Sequence, residues 1–296
     1  MPEPGEPLIV GIDGGYVHAR EGENRKAGSF EIIVGKSMTG EQLSKRFGFV
    51  NDYDTKSKRR VYEVLKSQGM QMNQQVIFLS DGGDDVRNLQ LYLNPQAEYV
   101  LDWFHVTMRL TVLAQLAKGV ALRTEAKETK KTRPGFEEEE EEPSPSVPTL
   151  EELEHQLERI KWHLWHGNVF RALQIGEDLE EDLDLLVGRN VSIQKMLQAV
   201  REFNGYITAN ENYIVNYDDR YRNGETISTA FVESTVNEVI SKRFVKKQQM
   251  RWTKEGAHHL LQIRIQVLND ELQQTFCKWY PGMIETPIDT EGEKAA

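Results

Sequence analysis

Along residues 7–122, short apolar runs alternate with segments of helical spacing. Leu8-Ile9-Val10-Gly11-Ile12-Asp13 is an apolar run that stops at Gly14-Gly15, the pattern of a buried strand entering a tight turn. Residues 17–20 and 30–36, split by the polar stretch 21–28, read as two arms of a hairpin. Val61 and Leu65 repeat at helical spacing within 57–69, and Gly69 closes that helix. Val76-Ile77-Phe78-Leu79-Ser80-Asp81 is a second apolar run, ending in Gly82-Gly83, with a short helix over 84–93 behind it. Residues 99–105 are a further strand candidate and 106–122 a helix. The order β-β-β-α-β-α-β-α opens on a hairpin and continues with parallel strands. It predicts an α/β fold, a mixed sheet flanked by helices.

The pattern changes after residue 123. Residues 124–148 include six consecutive glutamates, 137–142, and then Pro143-Ser144-Pro145-Ser146-Val147-Pro148. With almost no apolar side chains this stretch cannot offset the entropy of ordering, so a disordered acidic linker is expected. Thr149-Leu150-Glu151-Glu152 is a capping box. Leu150, Leu153, Leu157, Ile160 and Leu164 follow in three- and four-residue steps until Gly167. Helices over 169–187 and 193–208 complete an all-α segment. A polar loop over 216–225 precedes two more helices, 228–245 and 254–279. The expected organisation is a first core part over 1–123, the linker over 124–148, a helical insertion over 149–212, and completion of the core over 213–296.

Composition removes several classes. The chain has 296 residues, 39% of them hydrophobic, and no apolar run of the ~20 residues that a membrane span requires. Residues 1–6 lack the basic and apolar regions of a signal peptide. The single cysteine, Cys277, makes neither an internal disulfide nor a cysteine-based zinc site. A reducing cytoplasm is the expected compartment. The net charge of −11 argues against nucleic acid as a partner, but it is unevenly placed. Residues 124–190 hold 18 acidic and 8 basic residues, whereas 225–264 hold 7 basic and 4 acidic. An acidic middle therefore hides a near-neutral body with a basic C-terminal region, and any DNA affinity should be weak and salt-sensitive.

The candidate chemistry lies in Asp13-Gly14-Gly15 and Asp81-Gly82-Gly83. In an open sheet, ligands sit at the carboxyl ends of strands. Two carboxylates there repel one another in a partly desolvated cleft, and a divalent cation removes that cost. Glycines leave room for a phosphodiester to approach the backbone. Oxygen ligands suit Mg2+ or Mn2+, and a pair of such ions is the usual device for in-line phosphoryl transfer. Glu233 is the third carboxylate candidate, one residue off the apolar stripe Val232, Val236, Val239 and Ile240. Beyond it Lys242, Arg243, Lys246, Lys247 and Arg251, with Trp252 beside them, form a basic run suited to DNA phosphates.

With these residues in hand, the sequence resembles the DDE-type transposases of bacterial insertion sequences, in the Mutator-like group. The resemblance rests on Gly11-Ile12-Asp13-Gly14, Phe78-Leu79-Ser80-Asp81-Gly82, Asp102-Trp103-Phe104-His105, and Val232-Glu233-Ser234 leading to Arg243 and Trp252. It implies an RNase H-like core interrupted by the helical segment, with Asp13, Asp81 and Glu233 as catalytic, metal-binding acids. It also implies two Mg2+ or Mn2+ ions, and transposon-end and target DNA as substrates. The expected reaction is phosphodiester hydrolysis followed by strand transfer in a homo-oligomer, in a bacterial cytoplasm at the nucleoid. Asp102 and His105 match an Asp/Cys-x-x-His motif of that family and would shape the site. Only seven residues precede Leu8, whereas such enzymes normally carry a DNA-binding region there. The chain is thus expected to be the catalytic portion of a longer or split transposase.

Other readings of the same residues stand beside this one. Asp13 and Asp81 before paired glycines are also ordinary turn residues. Glu233 also fits a solvated helix face. Asp102 is an alternative second acid, and His105 a core histidine, a helix cap or a metal ligand. Residues 162–166 and the His258-His259 pair read as amphipathic helix faces. Residues 242–251 read equally as a solvated face, and Trp252 as a core residue. At the level of the whole chain, the alternatives are an actin-like kinase or ATPase and an inactive fragment serving only DNA binding or oligomerisation.

Overall fold

The computed structural model describes residues 6–20, 28–40, 43–71, 74–131, 147–188, 191–242, 244 and 250–282. The strands are β1 (Leu8–His18), β2 (Ser29–Thr39), β3 (Leu43–Val50), β4 (Val76–Ser80) and β5 (Glu98–Leu101). They form one sheet in the order β3-β2-β1-β4-β5. Strands β2 and β3 pair antiparallel, from Ile32 opposite Val50 to Thr39 opposite Leu43. Strands β4 and β5 pair parallel, from Ile77 opposite Glu98 to Ser80 opposite Leu101. The fold is α/β with a mixed sheet: three strands following one another directly, then two reached through helices.

The chain divides into two compact units. One comprises residues 12–74 and those from 232 onward, together with Leu8; the other comprises 9–11 and 75–231. Strand β1 therefore contributes to both. In the first unit, α1 (Ser57–Ser67) precedes the crossover to β4. From Val232 onward, this unit also contains most of α8 (Ala230–Val236), a π-helical turn over Asn237–Ser241, α9 (Lys254–Leu268) and α10 (Leu272–Trp279). Its core gathers Val17, Ile32, Val34 and Val50 of the strands with Val239, Ile240 and Phe244 and with Ala257, Leu261 and Ile265 of α9.

The second unit holds α2 (Asp84–Leu93), α3 (Trp103–Lys131), α4 (Leu150–Trp165), α5 (Val169–Asp184), α6 (Val191–Ala209) and α7 (Tyr217–Arg222). Every residue of β4 is buried, as a continuous apolar strand between helical layers must be. Its core runs from Leu79, Val100 and Leu101 through Val106, Leu110 and Leu113 of α3 to Leu153, Leu157, Ile160 and Leu164 of α4. The capping box is formed as the sequence predicts: Glu152 N–H donates to Thr149 Oγ1 at 3.2 Å and Thr149 N–H to Glu152 Oε2 at 2.8 Å.

Several elements differ from the sequence-based expectations. Gly14-Gly15 makes no turn, because β1 runs through it to His18 and absorbs the expected hairpin arm at 17–20. The reason is close approach. A Cβ on Gly14 would stand 2.8 Å from Glu31 Oε1, and one on Gly15 would stand 2.9 Å from Ile240 Cδ1. Strand β3 had no sequence forecast. Strand β5 ends at Leu101, so residues 102–105 turn into α3, which continues to Lys131 inside the expected linker. Residues 132–146 of that linker lie outside the described residues. The polar loop over 216–225 contains α7, and the long final helix breaks between α9 and α10 at Asp270, whose φ is +56°. Among the described residues no helix is long and apolar enough to cross a membrane.

Candidate functional site

Asp13 lies in the middle of β1, half-buried, and its Oδ1 accepts the N–H of Gly14 at 2.7 Å. The Glu31 carboxyl stands against Gly14 from β2 and accepts from Asn51 Nδ2 at 3.1 Å. Sequence reasoning missed this second acid, since nothing local marks a glutamate whose partner strand brings it to the residue after Asp13.

Glu233 is exposed on the first turn of α8. The same helix and its π-helical continuation bury Val232, Val239 and Ile240. Ile240 and Val236 close directly over Gly15 of β1. The helix that carries Glu233 is therefore packed on the strand that carries Asp13, two residues beyond it. Gly15 permits the approach by having no side chain.

Asp81 follows β4 and is exposed, while its backbone is held from several sides. Its carbonyl accepts the hydroxyl of Tyr206 on α6 at 3.0 Å, and its own Oδ1 accepts Gly83 N–H at 3.1 Å. Ser80 Oγ accepts Gly82 N–H at 3.2 Å. Gly82 has φ +93°, and the Asn210 side chain occupies the place its Cβ would take. Burial pushes the Tyr206 phenol far above its ordinary range, with Arg109, 4.0 Å over the ring, partly opposing it. Tyr206 thus stays a neutral donor. Replacing Gly82 by alanine is expected to cost about 1–3 kcal/mol from left-handed backbone strain alone, read as a lowered denaturation midpoint.

The most completely built cluster surrounds Asp102, between β5 and α3. This carboxylate is fully buried. Its Oδ1 accepts Phe104 N–H at 3.0 Å and Thr229 N–H at 2.9 Å. Its Oδ2 accepts His105 Nδ1 at 2.6 Å and the hydroxyl of Thr229. Burial pushes the Asp102 carboxyl up, but the bonds from His105 and Thr229 outweigh it and hold the pKa below the ordinary range. The ionised carboxylate only accepts, so the Nδ1 of His105 carries its proton. Asp102 therefore anchors the start of α3 and orients the imidazole. Nearby, Trp103 N–H donates to Ile227 O at 3.1 Å, so the chain leading into α8 is tied to the start of α3 at two places. Thr229 escaped sequence reasoning because it lies 127 residues from Asp102.

Of the basic run, Lys242 and Arg251 are exposed, and Arg243, Lys246 and Lys247 lie outside the described residues. Trp252 is half-buried; its indole packs on Phe244 with centroids 5.0 Å apart and donates to Phe244 O at 3.3 Å. The backbone N–H of Trp252 donates to His18 O at 2.9 Å, extending the end of β1. Among the described residues, no three His, Cys, Asp or Glu side chains form a group able to hold a metal ion.

No protein-family model and no curated protein sequence matches this chain. Among solved structures, the chain is similar to the Drosophila P element transposase strand transfer complex. The identity is 10%, the match covers 90% of this chain and 78% of that one, and the TM-score is 0.39.

Proposed function

We propose that this chain is the catalytic core of a DDE-type transposase of the Mutator-like bacterial insertion-sequence group, cleaving DNA phosphodiesters and joining the freed 3′ ends to target DNA. Asp13, Asp81 and Glu233 are the proposed metal-binding acids, with Asp102 and His105 shaping the site around them. The observation that carries this reading is the packing of the Glu233 helix onto β1 at Gly15, beside Asp13. Its support from Asp81 is the exposed carboxyl on a fixed loop after β4, the strand next to β1 in the sheet order.

The donors are carboxylate oxygens alone, which fits Mg2+ or Mn2+ in chemistry. Asp13, Asp81 and Glu233 would hold the ions, although no group of three such side chains stands ready-made among the described residues. Bound ions would supply an activated water and a counter-charge for the leaving oxygen. The protein's own contribution is to hold Asp81 by its backbone and to seat α8 on β1. The proposed partners are transposon-end and target DNA and further copies of the chain in the active complex. Lys242 and Arg251, with Arg243, Lys246 and Lys247, are the proposed contacts to phosphate, with Trp252 adjoining them.

The test is conversion of supercoiled plasmid to open circles by the full chain. Nicking is expected with Mg2+ or Mn2+ and none with EDTA. Absence of nicking with either ion overturns the enzymatic reading and leaves a non-catalytic role.

A further inference from the structure

The helical hairpin of α4 and α5 is electrically two-ended. Residues 159–171, spanning the end of α4, the turn and the start of α5, hold three cations and no carboxylate. The flanking stretches 149–158 and 172–188 hold ten acidic residues and no lysine or arginine. The two helices are joined by only three residues, with Gly167 at φ +71°, so both acidic stretches lie toward the open end and the cations lie at the tip. At 1.5 Å per residue, the two ends of such a helix are separated by about 20 Å.

Among the described residues, Arg159, Lys161 and Arg171 make no ion pair with a carboxylate; Asp218 of α7 reaches the tip, but it accepts from Trp165 Nε1 at 3.2 Å, lies 3.8 Å from His166 Nε2 and is bonded by Arg222. Arg159 donates to Gln156 Oε1 at 3.1 Å, and Arg171 donates to Gln174. Arg201 on α6, by contrast, bridges Glu180 at 2.7 Å and Asp184 at 2.8 Å. The half-buried His163 reports the same field. Burial lowers its pKa, and Arg171, Arg159 and His166 around it lower it further.

Two aromatic side chains stand out from this tip, Trp162 at 58% exposure and Phe170 at 78%. His166 lies on the Trp162 indole, with centroids 4.3 Å apart at 36°, and its Nδ1 donates to Trp162 O at 2.8 Å. The indole is thus held in place at the surface. Isolated exposed apolar residues are common, but here they share a short segment with three cations that make no ion pair among the described residues. Cations that track phosphates beside flat aromatic faces are the equipment for binding unpaired nucleotides.

We propose that the α4–α5 tip is a docking site for single-stranded DNA, with Arg159, Lys161 and Arg171 on phosphates and Trp162 and Phe170 stacked on bases. The acidic open end repels the same strand and so directs it to the tip. This goes beyond the cleavage reading and rests on it only for the choice of DNA over RNA.

The test is fluorescence anisotropy of a labelled oligo-dT with the full chain, compared with oligo-rU and with a duplex of equal length. The oligo-dT is expected to bind more tightly than either. Trp162→Ala and Phe170→Ala are each expected to weaken it roughly tenfold. Lys161→Gln with Arg171→Gln is expected to reduce the slope of log affinity against log salt by about 0.7 for each lost phosphate contact. These side chains are exposed, so an unchanged melting temperature is the folding control. Oligo-dT binding unaffected by the aromatic variants, or a preference for oligo-rU, overturns the proposal. Asp81→Ala is expected to keep oligo-dT binding while losing nicking, which separates failure of this site from failure of the cleavage assignment.

Discussion

Asp81→Ala is expected to lower Mg2+-dependent plasmid nicking by about 10²- to 10³-fold, the scale on which loss of a group stabilising transition-state charge is felt. It is also expected to leave the fold intact. The side chain is exposed, and the loop beneath it is held by the Tyr206 hydroxyl on the Asp81 carbonyl and by Ser80 Oγ on Gly82 N–H. Of the bonds in this loop only that from Gly83 N–H uses the carboxyl. The stability change should therefore stay within about 0.5–1.5 kcal/mol, the net worth of one hydrogen bond. Glu233→Ala is cleaner still. Its residue is exposed on α8, and alanine favours the helix. Asp13→Asn completes the set with the shape of the half-buried side chain preserved. All three variants should bind duplex DNA at least as well as the parent, since each removes a negative charge that the proposed site would turn toward phosphate. Parental nicking in any one of them removes that residue from the proposed acids.

The sequence carries much of this arrangement and hides the rest for identifiable reasons. The buried stripe Leu153, Leu157, Ile160 and Leu164 and the cap at Thr149 are local signals, and they appear as read. Asp13-Gly14-Gly15 misleads because glycine serves two ends. It permits turns, and it also permits close packing within a strand, which is its use against Glu31 and Ile240. Strand β3 escapes because Lys45 and Arg46 interrupt its apolar pattern. Those two residues find distant partners, Lys45 in Glu271 at 2.6 Å and Arg46 in Glu238 at 3.5 Å and in the Leu268 carbonyl at 3.0 Å. Its apolar half, Phe47 to Val50, is buried between β2 and α9, and α9 lies about 200 residues further along the chain. The contact of α8 with β1 and the bond from Thr229 to Asp102 belong to the same class. Spacing along the chain reports what lies within a few turns and says nothing of two segments brought together by the fold. The apolar runs of β1, β2, β4 and β5 were accessible; β3 and the contacts that anchor the carboxylates were not.

Asp102→Ala is expected to destabilise the second unit by about 3–5 kcal/mol, the range seen when one partner of a buried charged network is removed. The buried Thr229 N–H and hydroxyl would lose their acceptor, and each unsatisfied group costs about 1–3 kcal/mol. Thr229→Val, which deletes only the hydroxyl donor, should cost about 0.5–1.5 kcal/mol. The pH dependence has a fixed sign. The folded state holds the Asp102 carboxyl below its unfolded value, so its stabilisation is fully present above the unfolded pKa of about 4 and is lost as pH falls through the lower native value. Urea titrations at pH 7 should therefore separate parent from Asp102→Ala widely, and titrations approaching pH 3 should bring them together. A gap that stays constant over that range would mean that the site's value lies in packing alone. The same clamp holds the residues immediately before α8, the helix bearing Glu233. At temperatures where both proteins remain folded, Thr229→Val should thus reduce nicking turnover more than it reduces DNA affinity. Equal losses in both would reassign Thr229 to stability only.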